Sequence, residues 1–250
     1  MILEDNSSLQ ESTQHSPTIK NESIGLRGEI GGAFSAMDNL RYLDVSHSRF
    51  TQIRLLSSKN LEYFNAEYNI IGLVEIEQAK KIKYLNLKNN LITSLPDLTG
   101  IDSLQTLLVD TNNLQFDDLE KNITIDSFTY QNQAIIGQKQ IIARKPGVSL
   151  NISVSVRGDS NVYQWYKNDE PIANSNTANY NFVEGTFYST EAVYHCQITN
   201  TLVPNLTLKH ENVDVFIATE EEVHEDSVAL VEFYINAGGL NWTFQRFWRS

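Results

Sequence analysis

The chain has a single cysteine, Cys196, in 250 residues, so no intrachain disulfide can staple it and the fold has to rest on packing. No Cys/His cluster has zinc-site spacing, and no metal is expected. Basic residues are scarce: 19 Lys and Arg against 31 Asp and Glu leave a net charge of −12, a field that repels phosphate backbones and argues against nucleic acid. Long apolar runs are missing as well. The longest, Ile70 to Val74, falls far short of the roughly 20 residues of a membrane helix, so no membrane insertion is expected, and Met1 to Gln10 lacks the features of a signal peptide. The hydrophobic fraction is an ordinary 41%, which excludes wholesale disorder. A length of 250 suits one or two domains.

Self-similarity is the strongest signal. The frame L-x-x-L-x-L-x-x-N-x-L occurs four times, anchored first at Leu40, Leu61, Ile82 and Leu104, in steps of 21, 21 and 22 residues. Positions 4 and 6 alternate as a short strand with one face inward: Leu43 and Val45, Phe64 and Ala66, Leu85 and Leu87, Leu107 and Val109. Position 9 holds Asn69, Asn90 and Asn112, whose amides can satisfy backbone groups in a buried turn and should stack as a ladder; Ser48 breaks it in the first repeat. This is the frame of leucine-rich repeats. Upstream, Leu26-x-Gly28-x-Ile30 followed by Phe34, Met37 and Leu40 resembles the plant-specific class of such repeats. Before Gly25 the frame fades, although Ile19 fits a strand position. A solenoid needs an end cap, and none is legible before Gly25, which favours a piece of a longer protein.

From about Ile123 the period gives way to alternating runs separated by turn residues, the pattern of a β-sandwich. Leu150, Ile152, Val154 and Val156 form one set, Tyr163 and Trp165 a second, and Tyr194, Cys196 and Ile198 a third. These strands resemble an immunoglobulin-like domain. Trp165 takes the place of the central tryptophan, and Tyr194, two residues before Cys196, that of the tyrosine-corner residue. Ile152 or Val154 stands where that family has its first cysteine, so packing has to replace a bridge worth about 2–4 kcal/mol. Cys196 is then expected to be a buried apolar residue and not a nucleophile.

The fold class expected is a leucine-rich-repeat solenoid of parallel strands followed by an all-β immunoglobulin-like sandwich and a short C-terminal helix. The divisions are 1–24, poorly defined; 25–122, repeats; 123–219, sandwich; and 220–250, an acidic linker leading to Asp226–Thr243, which resembles the start of an amino-terminal cap of a further repeat array. This order is similar to that of large bacterial secreted or surface proteins that alternate plant-type leucine-rich repeats with immunoglobulin-like domains. The resemblance implies export, an extracellular or cell-surface location, and recognition without catalysis.

The concave strand face is the usual binding surface of a solenoid. Tyr42, Tyr63 and Tyr84 share one register there, flanked by Asp44, Asn65 and Asn86, with His47 and Tyr68 at the turn. Aromatic rings beside amides and carboxylates suit a protein or glycan ligand; the plainer alternative is that the rings only stack and shield the sheet. Arg157-Gly158-Asp159 resembles an integrin-binding tripeptide and also reads as an ordinary turn. No nucleophile and base, paired carboxylates or phosphate-binding loop stands out, so no catalytic residue and no cofactor is assigned. His195 and His210 are read as outward-facing on or near sandwich strands. The function expected is an adhesion or recognition module, the alternative being accessory domains of a larger extracellular enzyme such as a polysaccharide hydrolase.

Overall fold

The computed structural model describes residues 18–20, 26–35, 37–55, 58–76, 78–144, 147–183 and 191–217. The acidic segment beyond 217, the cap-like string Asp226–Thr243 and the expected C-terminal helix lie outside the described residues. Contacts divide the chain into two compact units. The first takes the described residues up to Ile136 with Val156–Val162 and Thr199–Leu208; the second takes Gly137–Ser155, Tyr163–Ile198 and the chain from Lys209.

The first unit is a parallel-strand solenoid of about five turns, almost without helix. Its long sheet joins β1 (Thr18–Lys20), β3 (Tyr42–Asp44), β5 (Tyr63–Asn65), β7 (Tyr84–Asn86), β8 (Thr106–Leu108) and β9 (Ser127–Thr129). The pairing is in register with the repeat: Tyr42 lies beside Tyr63, Tyr63 beside Tyr84 and Tyr84 beside Thr106. Position 4 faces inward in each turn, and Leu43, Phe64, Leu85 and Leu107 are fully buried. Ile19 joins that row, so the repeat starts earlier than the sequence frame.

The repeat also runs on past Asn122, the boundary expected from the sequence. Ile125, Phe128, Tyr130 and Gln133 occupy positions 1, 4, 6 and 9 of a further turn, and Leu107 lies beside Phe128. The reason is chemical equivalence: a glutamine amide does the asparagine's work. The Gln133 side chain accepts the Leu114 N–H at 3.0 Å and donates to the carbonyls of Val109 and Tyr130, each at 3.0 Å. Asn112 does the same one turn earlier, accepting from Ile92 and donating to Leu87 and Val109. Asn90 spans Ile71, Ala66 and Leu87, and Asn69 spans Phe50, Val45 and Ala66. Each amide thus ties a turn to the one before it through groups that burial would otherwise leave unpaired.

A short second sheet joins β2 (Arg27–Ile30), β4 (Arg49–Arg54) and β6 (Leu73–Glu75), all parallel. The Leu26-x-Gly28-x-Ile30 segment supplies β2, which carries a bulge after Gly28, where φ is +103°. Two short helices complete the unit, α1 (Gly32–Ser35) and α2 (Phe116–Glu120). Beyond β6 side chains from α2 and its end replace strand pairing: Asp118 accepts the Leu95 N–H at 3.1 Å and Asn122 accepts that of Leu98 at 2.9 Å.

In the second unit one sheet runs β10 (Gln140–Arg144), β17 (Val213–Ile217), β15 (Glu191–Asn200), β12 (Asn161–Lys167) and β13 (Glu170–Pro171), with β16 (Thr207–Lys209) also on β15. The β10–β17 pair is parallel and β15–β17 antiparallel. β11 (Ser149–Ser153) and β14 (Asn179–Val183) form a separate antiparallel pair. Trp165, Tyr194, Cys196, Ile152 and Val154 are all buried, and the Trp165 indole N–H donates to the Thr177 carbonyl at 2.9 Å. Burial pushes the Cys196 thiol up to about 12, so it is protonated and inert at neutral pH.

His195 and His210, expected on the outside of their strands, do not face outward. His195 is buried under the Tyr166 ring, with centroids 4.8 Å apart and planes 3° apart, so β15 is covered on both sides at that point. Burial lowers its pKa, as does Lys209, while Asp169 opposes them. His210 is buried against Gly137: a Cβ there would stand 2.2 Å from the imidazole Nε2, and φ is +79°, so only glycine fits.

Candidate functional site

The long sheet brings the three tyrosines together as the repeat requires. Tyr42 and Tyr63 stack with centroids 4.1 Å apart, Tyr63 and Tyr84 at 4.5 Å, and both pairs are within 3° of parallel. Lys20 Nζ stands 5.6 Å from the Tyr42 centroid, extending the column by one cation. The rings therefore turn their faces on one another and offer edges and hydroxyls outward. Burial raises the Tyr63 pKa, as do its hydrogen bond with Tyr42 and the proximity of Tyr42, Tyr84 and Asp44, so this phenol remains a neutral donor and acceptor.

Asp44, Asn65 and Asn86, expected to flank the rings, are engaged within the sheet. Asp44 accepts from the backbone and hydroxyl of Ser46 and from Asn65 Nδ2 at 3.2 Å. Asn65 accepts the Glu67 N–H, Asn86 donates to the Glu67 carboxylate at 3.0 Å, and Asn86 accepts the Lys88 N–H. Lys88 pairs with Asp110 at 3.1 Å, and Asp110 also accepts from the Thr129 hydroxyl and the Gln131 N–H. Burial pulls the Asp110 pKa up, but the hydrogen bonds from Thr129, Gln131 and Lys88 outweigh it and hold the carboxyl below 3.8. Asn65 and Asn86 are buried, so these two belong to the scaffold more than to the surface.

The turn at position 8 presents more. His47, Tyr68, Asn89, Thr111 and Asn132 all have φ between 53° and 58°. Each of the first four donates its N–H to the position-7 carbonyl of the following turn, which fixes the left-handed conformation from one turn to the next. His47 and Tyr68 stack at 4.5 Å and 14°, and Tyr68 keeps 51% of its surface exposed. Asparagine and glycine adopt this conformation at low cost, whereas a tyrosine there is strained.

The Arg-Gly-Asp tripeptide is not free for an integrin-type contact through its arginine. The Arg157 guanidinium donates to Asp118 at 2.7 Å, to Asp117 at 3.0 Å and to the Thr93 carbonyl at 3.0 Å. Asn122, which opens an N-x-S/T tripeptide, is fully buried and serves the Leu98 turn, so its amide is no glycosylation acceptor in the folded chain. Among the described residues no group of three or more His, Cys, Asp or Glu is placed to hold a metal, and no helix is long and apolar enough to cross a membrane. No protein-family model and no curated protein matches the chain.

Sequence reasoning missed three elements here: the lysine over Tyr42, the inward use of position 5, and the positive φ of position 8. The first needed β1, whose surroundings do not fit the frame. The last was legible in principle, since asparagine stands at that position in two of the five turns.

Proposed function

We propose that the chain is a recognition module, without catalytic activity, that binds a protein or glycan through the long-sheet face of a leucine-rich-repeat solenoid and carries an immunoglobulin-like domain beside it in the chain. Its setting on this reading is the extracellular space or a cell surface. The single observation that carries the binding role is Tyr68. A bulky ring held at a positive φ, half exposed and backed by His47, lowers stability where asparagine would raise it. Strain retained at an exposed position is a mark of function. The tyrosine column adds a row of phenol edges in the same sheet.

The immunoglobulin-like reading draws support from the sheet order, from a parallel pair beside antiparallel ones, and from Trp165 buried near the aromatic group of Tyr180, Phe182 and Tyr194. The missing cysteine partner is then compensated by ring packing, with Phe182 and Tyr194 stacked at 4.6 Å.

A peptide and glycan array probed with the whole chain tests the binding role. Tyr68→Asn and the triple variant Tyr42→Ala, Tyr63→Ala, Tyr84→Ala should each remain folded by circular dichroism and lose signal on the bound array members. Binding that survives in both folded variants, or no binding by the parent chain, overturns the assignment of recognition to this face.

A further inference from the structure

A solenoid exposes its core at its last turn unless something covers it. Among the described residues no strand follows β9 in the long sheet, so the turn with Ile125, Phe128 and Tyr130 is its last. Two later segments belong to the same compact unit, residues 156–162 and 199–208. The first lies against α2. Gly158 sits so close to Phe116 that a Cβ would stand 2.6 Å from the Phe116 Cβ, and its φ is +126°. Arg157 N–H donates to Gln115 at 2.8 Å, and Asp159 N–H to the Glu120 carboxylate at 3.1 Å.

The second segment is joined to the first and to the solenoid. Thr201 N–H donates to the Ser160 carbonyl at 3.2 Å. Asn200 Nδ2 donates to Glu120 at 2.6 Å and to Asn161 at 2.9 Å, while its side-chain Oδ1 accepts the N–H groups of Leu202 and Val203. The Tyr130 hydroxyl donates to the Pro204 carbonyl at 2.9 Å, and Val203 and Leu206 are buried. The charge at the centre is Asp118, with no exposed surface at all; the Arg157 guanidinium holds one oxygen at 2.7 Å, and Lys121 Nζ, from the end of the same helix, stands farther off at 3.7 Å from the other. A carboxylate so enclosed needs its cations in place, and Arg157 is the nearer of the two.

We infer that residues 156–162 and 199–208 are the closing cap of the solenoid, a discontinuous one, and that Arg157 is the latch that positions it by neutralising Asp118. The Arg-Gly-Asp tripeptide follows from this role: arginine for the enclosed carboxylate, glycine for the approach to Phe116, and the aspartate N–H for Glu120. The solenoid therefore requires chain that lies more than 60 residues beyond its last turn.

Amide hydrogen exchange on the full chain and on Arg157→Ala tests the cap. The reporter is the Leu95 N–H, bound to Asp118; the controls are the Phe50 and Ile71 N–H groups, bound to Asn69 and Asn90. Protection at Leu95 is expected to fall about tenfold or more with the controls unchanged. Gly158→Ala, which keeps every charge, should produce the same local loss by wedging the segment off Phe116. Should Arg157→Ala fail to fold, Arg157→Lys replaces it, keeping the charge without the fork, and is expected to lower Leu95 protection alone. Unchanged Leu95 protection in the arginine variant and in Gly158→Ala, or an equal fall at reporter and controls, overturns the inference.

Discussion

The two units solve the same problem, stability without a disulfide, by opposite means. The solenoid repeats one polar device: a side-chain amide at position 9 of every turn after the one that carries Ser48, accepting one backbone N–H and donating to backbone carbonyls of its own turn and the one before it. The second unit uses a single aromatic assembly around Trp165, with Tyr180, Phe182 and Tyr194, that occurs once. A repeated bond network spreads its risk over many turns, whereas a single packed cluster concentrates it. Damage to the first should be local and damage to the second should reach the whole unit.

The largest expected effect breaks the second unit. Trp165→Ala should cost about 3–5 kcal/mol, as for other buried aromatic truncations. By amide exchange, strands β11, β12, β14 and β15 should lose protection while the Ile71 and Ile92 N–H groups of the solenoid keep theirs. Equal loss in both would show that the contrast between local and global damage is false.

Next comes a single rung of the ladder. Asn90→Ala leaves the Ile71 N–H and the carbonyls of Ala66, Leu87 and Lys88 without this partner, which should cost about 2–4 kcal/mol. Chemical denaturation measures it. Asn90→Gln should recover part of the loss, because Gln133 shows that the longer amide makes the first three of these contacts at the last turn.

The smallest effect concerns pH. Asp110 has a folded pKa below its ordinary 3.8, so the stability it adds is fully present above 3.8 and is lost as pH falls through its lowered folded value. Asp110→Asn should therefore lower the melting temperature slightly at pH 7 and bring it level with the parent near pH 2. A difference that persists undiminished at pH 2 would mean that the Thr129 and Gln131 contacts act through geometry and not through charge.

The solenoid was legible where its letters were strict. Leucine-type anchors and asparagine at fixed spacing name the inward rows and the ladder from Leu40 to Leu114, and the folded chain holds these residues in that order. Its two ends were not legible, because Ile19 lacks the flanking anchors and Gln133 is not an asparagine, although the backbone treats its amide as one. The short sheet through β4 and β6 was also missed, since its pairing is made between turns and leaves no alternation as strict as that of the long sheet. At the candidate site the tyrosine register was readable from spacing alone. The inward engagement of Asn65 and Asn86 was not, because it is made with the N–H groups of Glu67 and Lys88 two residues on and, for Asn86, with the Glu67 carboxylate one turn earlier.

The left-handed position preceding each rung separates backbone from lettering. His47, Tyr68, Asn89, Thr111 and Asn132 share one conformation within 5° of φ, yet have no side-chain chemistry in common. Each turn therefore offers one outward address whose occupant the interior does not read, next to a position where four of the five turns carry a bonded side-chain amide. Substitutions along that row change what the surface presents, turn by turn, at a cost confined to local backbone strain, far smaller than the cost of rebuilding the core.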